Sequence, residues 1–513
     1  MSLLSERMVA IDTDVVTCLT LARCALGAIA AFLAYQLCRA IYFAFASPLA
    51  KVPGPFACKV SGIPEFVNTL IRGRRSEWIY ELHQQYGPVV RIAPNTLAFA
   101  EPAAAKTIYT GNGFLKSYAR YHGKNVDGVQ HSLTFIEPSQ SKRRRSILLP
   151  LFQRNNLETF IPHMEEYLAK FLNQVAKEQK HEGSVDLYRW LRLLAFDVIG
   201  QLAYGVDLNM TATGKEACLV EDMSSAFLFA VILETIPFAS SLAKFKIFSP
   251  LYQLRAASHR FKNFGIDILQ TLESNGELEH SGEQVNLLRS LHRETVQASS
   301  GVTREHATAE AGAVLIAGSD TTSTAMTYAC WELSRRPDIQ ERIRDELRTV
   351  TDDVNAIPSV KALESLSYFN AFLKEVLRRW PTLPGTLERI APSMGASISG
   401  FVVPGGTEVT TTAFAVHRDP TLFPAGDKLV PERWLDETPE MRGAFLPFSI
   451  GPRNCVGMNL AWAEIRLVLG TLLRRYKILP HASTTAESMA PEEFFFVTPK
   501  AHQCRLVLRP VED

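Results

Sequence analysis

The stretch Phe448-Ser449-Ile450-Gly451-Pro452-Arg453-Asn454-Cys455-Val456-Gly457, followed at once by an apolar helical pattern from 458 to 476, carries the strongest chemical signal in the 513-residue chain. Glycines at 451 and 457 allow a tight turn and close approach of the backbone to a flat group, and Phe448 offers an aromatic face that can cover that group or shield a sulfur. Cys455 stands just before a helix N-terminus, where unpaired N–H groups and the helix dipole favour thiolate over thiol. Arg453, two residues earlier, can hold a carboxylate in a charge-assisted pair. A single cysteine is most often a small buried hydrophobe. Here five specified positions coincide, a chance match on the order of 1 in 10,000 from ordinary residue frequencies, so the motif reading prevails.

A thiolate on haem iron donates electron density and favours O–O cleavage. The segment resembles the haem-binding signature of the cytochrome P-450 superfamily, which implies a mainly α fold: a helix-rich haem domain with small β-sheets. Other stretches carry the same resemblance. Glu375-Val376-Leu377-Arg378 sets acid and base on one helical face, by itself usually a solvated surface pair. In the family the equivalent pair is buried beside the haem loop and bonded to a downstream arginine. Pro431-Glu432-Arg433-Trp434 supplies that arginine, so Glu375, Arg378 and Arg433 are expected to form a structural network. Ala415-Val416-His417-Arg418-Asp419-Pro420 is similar to a segment that precedes it in the family. His417, with no second His or Cys at ligand spacing, reads as structural.

Ala317-Gly318-Ser319-Asp320-Thr321-Thr322 lies within a helical pattern, 304–335, too long for a surface element. Gly and Thr weaken helices, a cost explained if the helix widens there over a cofactor and admits water or oxygen. The family's acid–alcohol pair stands here as Asp320 and Thr321, which implies that Thr321 hydrogen-bonds the oxygen under cleavage while Asp320 relays protons. For the haem carboxylates the resemblance implies three arginines: Arg453, Arg145 at the end of Lys142-Arg143-Arg144-Arg145, and Arg389 in Leu387-Glu388-Arg389-Ile390. Four residues before Arg145 the family has an aromatic or histidine; this chain has Ser141, which removes one expected contact.

Hydrophobic residues make up 47% of the chain and charged ones 21%, enough apolar material for a large core. A net charge of +1 argues against a nucleic-acid partner. Eight cysteines without a CxxC pair point to free thiols in a reducing compartment. No repeat or low-complexity linker divides residues 56–513, so they read as one catalytic unit. Further helical patterns run over 157–178, 187–202, 337–349 and 363–379, and strand patterns over 89–93, 96–100, 397–403, 408–412 and 505–508.

Residues 15–46 are almost wholly apolar and of membrane length. Acidic residues precede them and basic ones follow, which puts a short tail, 1–14, in the lumen and the body, 56–513, in the cytosol. The expected location is the endoplasmic reticulum membrane, crossed once. Lys51-Val52-Pro53-Gly54-Pro55 closes a proline-rich hinge, 47–55.

The resemblance implies haem b as cofactor and a monooxygenase reaction, one atom of O2 entering the substrate. No Gly-rich dinucleotide fingerprint follows a strand. Electrons are therefore expected from NADPH through a separate cytochrome P-450 reductase, with cytochrome b5 as a possible second donor. A lipophilic small molecule is expected in a pocket lined by Phe135, Ile136, Ala313, Ala317, Pro384, Thr386, Phe496 and Val497. The apolar run 226–237 suits a roof over that pocket, and equally suits plain core. The general style resembles fungal biosynthetic members and suggests a terpenoid, polyketide or indole skeleton. A reductase-independent isomerase or dehydratase, or a haem sensor without turnover, is the alternative; the Asp320–Thr321 pair argues against both.

Overall fold

Helix Arg304–Arg335 passes through the middle of the molecule, buried along most of its length. Thr303 caps it: its hydroxyl accepts from the His306 N–H, and the His306 ring accepts from the Thr303 N–H. The structure is a computed structural model that describes residues 2–236, 238–276, 286–296, 301–385 and 387–511. Helix Leu187–Tyr204, buried on nearly every face, packs along the central helix. Gly318 sets their spacing, since a Cβ there would lie 2.6 Å from Ile199. Helices Arg154–Glu182, Ser249–Ser274, Pro337–Arg348 and Met458–Arg475 complete one apolar core.

The helical pattern 363–379 divides into Val360–Glu364 and Ser367–Arg379. The Glu346 carboxylate accepts from the N–H groups of Tyr368 and Phe369, 2.8 and 2.9 Å, and so starts the second helix from across the fold. The strand pattern 397–403 is a hairpin, Ala396–Ile398 against Phe401–Val403. Ser399 and Gly400 take positive φ in its two-residue turn, the conformation that turns a right-twisted hairpin.

The sheets are small. Among the described residues the largest has five strands in the order Val89–Ala93, Thr96–Phe99, Glu408–Thr411, Arg389–Ile390, Leu115–Lys116. Its last pair is antiparallel and sets Lys116 directly opposite Arg389. Arg505–Pro510 lies between Val185–Asp186 and Tyr476–Pro480.

The N-terminal helix starts at Ser2, so residues 2–14 are helical and continuous with the apolar run. It runs to Ile41, then widens into a π turn over Tyr42–Ala46. Its stretch Thr20–Ala46, 27 residues, is long and apolar enough to cross a membrane. The segment after it is fastened rather than loose. Arg91, fully buried, donates to the carbonyl oxygens of Phe43 (2.9 Å), Leu49 (3.0 Å) and Pro94 (2.6 Å), and its own N–H reaches Pro53 O at 2.8 Å. Gly54 is required beside it, because a Cβ would come within 2.5 Å of Arg91 O.

Candidate functional site

The loop before helix Met458–Arg475 is shaped by two torsions. Ser449 and Gly451 both take positive φ, and a Cβ on Gly451 would stand 2.3 Å from Tyr109 O. The Cys455 N–H then donates to Phe448 O at 2.9 Å, which closes the loop. The Phe448 ring packs on Trp462 of the following helix, 5.8 Å between centroids. Gly457 differs from expectation: its φ is −84°, open to any residue. What glycine provides there is space, since a Cβ would sit 4.0 Å from the Cys455 sulfur and 3.8 Å from Phe152 with no other neighbour that close.

Burial pushes the Cys455 thiol up, while the Gly457 N–H bonded to the sulfur and the nearby Arg145 guanidinium pull it down. The side chain is nevertheless accessible. Deep placement with an exposed sulfur means that Cys455 opens on interior space. The central helix shows the same sign. Ala317 is exposed, and Ile316, Gly318, Asp320 and Thr321 are partly so, on a helix otherwise enclosed.

Behind the loop, Glu375 and Arg378 are fully buried. Arg378 donates to both carboxylate oxygens, 2.8 and 2.9 Å, and Arg433 adds a bond at 3.2 Å. Trp434 Nε1 and the Val430 N–H donate to the same carboxylate at 2.8 and 2.9 Å. The rest of the Arg378 guanidinium meets the carbonyl oxygens of His417, Gly426 and Lys428. His417 has burial and the Arg378 charge against its protonated form, pulling it down to about 3. It is therefore neutral: Nδ1–H donates to Arg378 O at 2.9 Å and Nε2 accepts from the Leu446 N–H at 2.8 Å. Helix Ser367–Arg379 is thus tied to the chain two residues before Phe448.

Four cations gather near the loop. Arg145 donates to the backbone and side-chain oxygens of Asn454, both at 2.9 Å. Arg453 donates to Ile136 O at 3.1 Å, and its Nη1 is buried without a partner. Arg389 donates to Tyr121 Oη and to the carbonyl oxygens of Leu387 and Glu388. Lys116, across the strand pair from Arg389, donates to Leu133 O and lies over the Tyr121 ring. None of the four pairs with a carboxylate among the described residues. Burial, then Arg389, Arg453 and Arg145, hold the Lys116 ammonium well below the ordinary lysine range; Arg453 is held down to about 10 by burial, then Arg389 and Arg145. Like charges facing each other across strands are destabilising. The set matches a bound group with two carboxylates. Lys116 escaped sequence reasoning because only the sheet register brings it there, and Tyr121 because it reaches Arg389 from the short helix Tyr118–Tyr121. Ser141 is buried with its hydroxyl unpartnered.

On the central helix, the expected widening at Gly318 is not present: Arg304–Arg335 is α-helical throughout, and Gly318 serves the contact with Ile199. The Thr321 hydroxyl donates to Ala317 O at 2.8 Å. Asp320 accepts from Arg192 Nε at 2.8 Å, and Arg192 reaches on to Glu216 at 2.7 Å. A guanidinium does not give up its proton, so Arg192 fixes Asp320 but is no link in a relay.

Of the expected pocket residues, Ala313, Phe135, Pro384 and Val497 are buried, while Ile136 and Phe496 are half-buried. Val497 N–H donates to Thr382 O at 3.0 Å, joining the chain before Pro384 to the C-terminal turn, and strand Val497–Pro499 packs on the central helix. Phe227, within helix Cys218–Thr235, stacks on Phe496 at 5.2 Å, which brings the expected roof onto that turn. Glu310 of the central helix accepts from the Ser132 N–H and holds the 132–136 segment. Thr386 and Pro237 lie outside the described residues.

The family model described as Cytochrome P-450 matches residues 58–505. Among curated relatives, the cytochrome P-450 monooxygenase tazI of Aspergillus terreus is 30% identical over 480 residues, covering 90% of this chain and 94% of the relative. Averantin hydroxylase of Dothistroma septosporum is 28% identical, with coverages of 91% and 86%. The monooxygenase stcF of Emericella nidulans is 30% identical, with coverages of 86% and 91%. A match that runs from Cys58 to Arg505, with relatives aligned over most of their length, makes this chain a member of the cytochrome P-450 family.

Proposed function

We propose that the chain is a membrane-anchored haem-thiolate monooxygenase that inserts one oxygen atom from O2 into a lipophilic small molecule, in hydroxylation, epoxidation or a multi-step oxidation. The carrying observation is a deep yet accessible Cys455 beside four cations that lack carboxylate partners among the described residues. Haem held through a thiolate supplies the oxygen-activating chemistry. Cys455 would hold the haem iron through its thiolate, steadied by the Gly457 N–H and by the brace of Glu375, Arg378 and Arg433. Arg145, Arg389, Arg453 and Lys116 hold the two propionates. Thr321 presents a hydroxyl on the accessible stripe of the central helix, and Ala313 and Ala317, being small, leave room beside it. Asp320 keeps one carboxylate oxygen on Arg192 and delivers protons through the other by way of water. Phe135, Ile136, Pro384, Phe496 and Val497 line the substrate chamber.

Electrons come from NADPH through a separate reductase, with cytochrome b5 as second donor. The N-terminal helix crosses the endoplasmic reticulum membrane and leaves the body in the cytosol. Exposed Phe45, Phe56, Ile63, Ile71, Phe238, Phe245 and Ile247 support contact with lipid. The fungal monooxygenases among the relatives, one of them an averantin hydroxylase, support a role in secondary-metabolite biosynthesis; the terpenoid, polyketide or indole skeleton is our reading of an apolar chamber.

The test is the reduced, carbon monoxide-treated protein, expected to show the red-shifted Soret band of a thiolate complex. A folded, haem-loaded protein without that band overturns the reading. With reductase, NADPH and a panel of lipophilic metabolites, a product gain of one oxygen is expected. Cys455→Ser should abolish it, and Thr321→Ala should divert NADPH consumption into peroxide.

A further inference from the structure

Lys124 is 7% exposed and bridges two parts of the expected substrate chamber, the roof helix and the C-terminal turn. Its ammonium donates to Glu234 at the end of helix Cys218–Thr235, and to Arg120 O in its own segment at 2.6 Å. It also lies 4.9 Å from the centroid of Phe495 in the C-terminal turn. Arg120 adds a second tie to Glu234 at 3.5 Å. The backbones are pressed together at the same place: a Cβ on Gly123 would lie 2.8 Å from Ala230 O and 3.0 Å from Glu234 N.

Outside this contact is a cavity of about 380 Å³ between the 122–128 segment and the helices Cys218–Thr235 and Ser249–Ser274. One wall is apolar, with Ala226, Phe229 and Leu233; the other offers His122, Asn125 and Arg255. Gly123 and Asn125 line the cavity, and Lys124 between them turns the other way, toward Glu234 and Phe495. Phe227 of the same roof helix faces that turn, stacking on Phe495 and Phe496.

We infer that the cavity is an antechamber for an amphipathic small molecule, with an apolar skeleton and oxygen groups, and that the Lys124–Glu234 pair is the partition between it and the haem chamber. The two residues set which molecules reach the haem, by size. Passage requires the roof helix end to part from the 118–124 segment, and the ion pair opposes that. This rests on the haem-thiolate reading.

Glu234→Gln leaves the buried Lys124 ammonium without its carboxylate, Lys124→Met leaves Glu234 its weaker tie to Arg120, and removing both charges can leave stability intact. The experiment uses the full-length holoprotein and the variants Lys124→Met, Glu234→Gln and the double variant. Two haem ligands are mixed with the ferric protein by stopped flow, imidazole and the bulky trityl-imidazole, with the Soret shift as signal and thermal unfolding measured alongside. Expected is a tenfold or greater rise in the trityl-imidazole association rate in all three variants, with the imidazole rate within twofold of wild type. The unfolding temperature should fall most in Glu234→Gln, less in Lys124→Met, and recover in the double. If the trityl-imidazole rate returns to the wild-type value in the double variant, the pair is only structural and the partition is refuted. If imidazole gives no Soret shift even in wild type, the haem reading fails instead.

Discussion

Replacing Lys116 by methionine should strengthen the apoprotein and weaken the holoprotein. Lys116 and Arg389 are cross-strand partners with buried side chains, 6% and 4% exposed, and Arg453 and Arg145 add to the same field. Two such charges about 8 Å apart at an effective dielectric of about 20 repel by about 2 kcal/mol. Methionine keeps the length of the aliphatic stem and removes the repulsion, so apoprotein unfolding should move up by about 2 °C for a body of this size. With haem bound the sign reverses. One charge-assisted hydrogen bond to a propionate is lost, about 1.5–3 kcal/mol, which corresponds to roughly 10- to 100-fold faster haem loss. Apoprotein melting and haem transfer to excess apomyoglobin measure the two quantities separately. A variant less stable in both forms would show that Lys116 merely packs under Tyr121, and the cation-cradle reasoning would be wrong.

Glu375→Gln leaves Arg378 with no compensating charge at 0% exposure and turns an amide toward donors; a loss of about 3–5 kcal/mol is expected in urea unfolding, with conversion of the thiolate Soret band to that of a displaced ligand. Gly457→Ala is permitted by its backbone but fills the space 4.0 Å from the Cys455 sulfur, so apoprotein stability should hold while haem content per folded chain falls. Glu464 is buried, with Oε1 lacking a partner, and burial pushes its carboxyl from about 4.5 up to about 8. The native state therefore stays neutral while the unfolded state ionises, so stability present below pH of about 4.5 is lost as pH climbs toward 8, by as much as about 4 kcal/mol. Glu464→Gln should remove that slope in pH-dependent unfolding, matching wild type near pH 4.5 and exceeding it at pH 8.

The local parts of this molecule were legible in the residues. The loop around Cys455, the Glu375–Arg378 pair and the limits of helix Arg304–Arg335 follow from spacing and pattern within a few turns of chain. What escaped is held by distant partners. Helix Ser367–Arg379 begins where it does because Glu346 caps it, and no residue next to Ser367 announces that. Lys116 joined the cation group through strand register, and Arg192 claimed Asp320 from another helix. Gly318 and Gly457 were legible as glycines but not for their reasons: one admits Ile199, the other leaves room beside a sulfur. Small residues report that something comes close, and only the neighbours reveal what.

The fastening of Arg91 bears on how a soluble form should be cut. Its charge is solvated by carbonyl oxygens and the Ser47 hydroxyl, and three of the four residues that supply them, Phe43, Ser47 and Leu49, precede the proline segment. A truncation at Pro53 would delete the apolar helix and also strip those three oxygens from a guanidinium in the body's own first sheet. One that begins before the Tyr42–Ala46 turn keeps the guanidinium dressed and discards nearly all of the apolar helix. The folded body therefore begins about ten residues earlier than the prolines suggest.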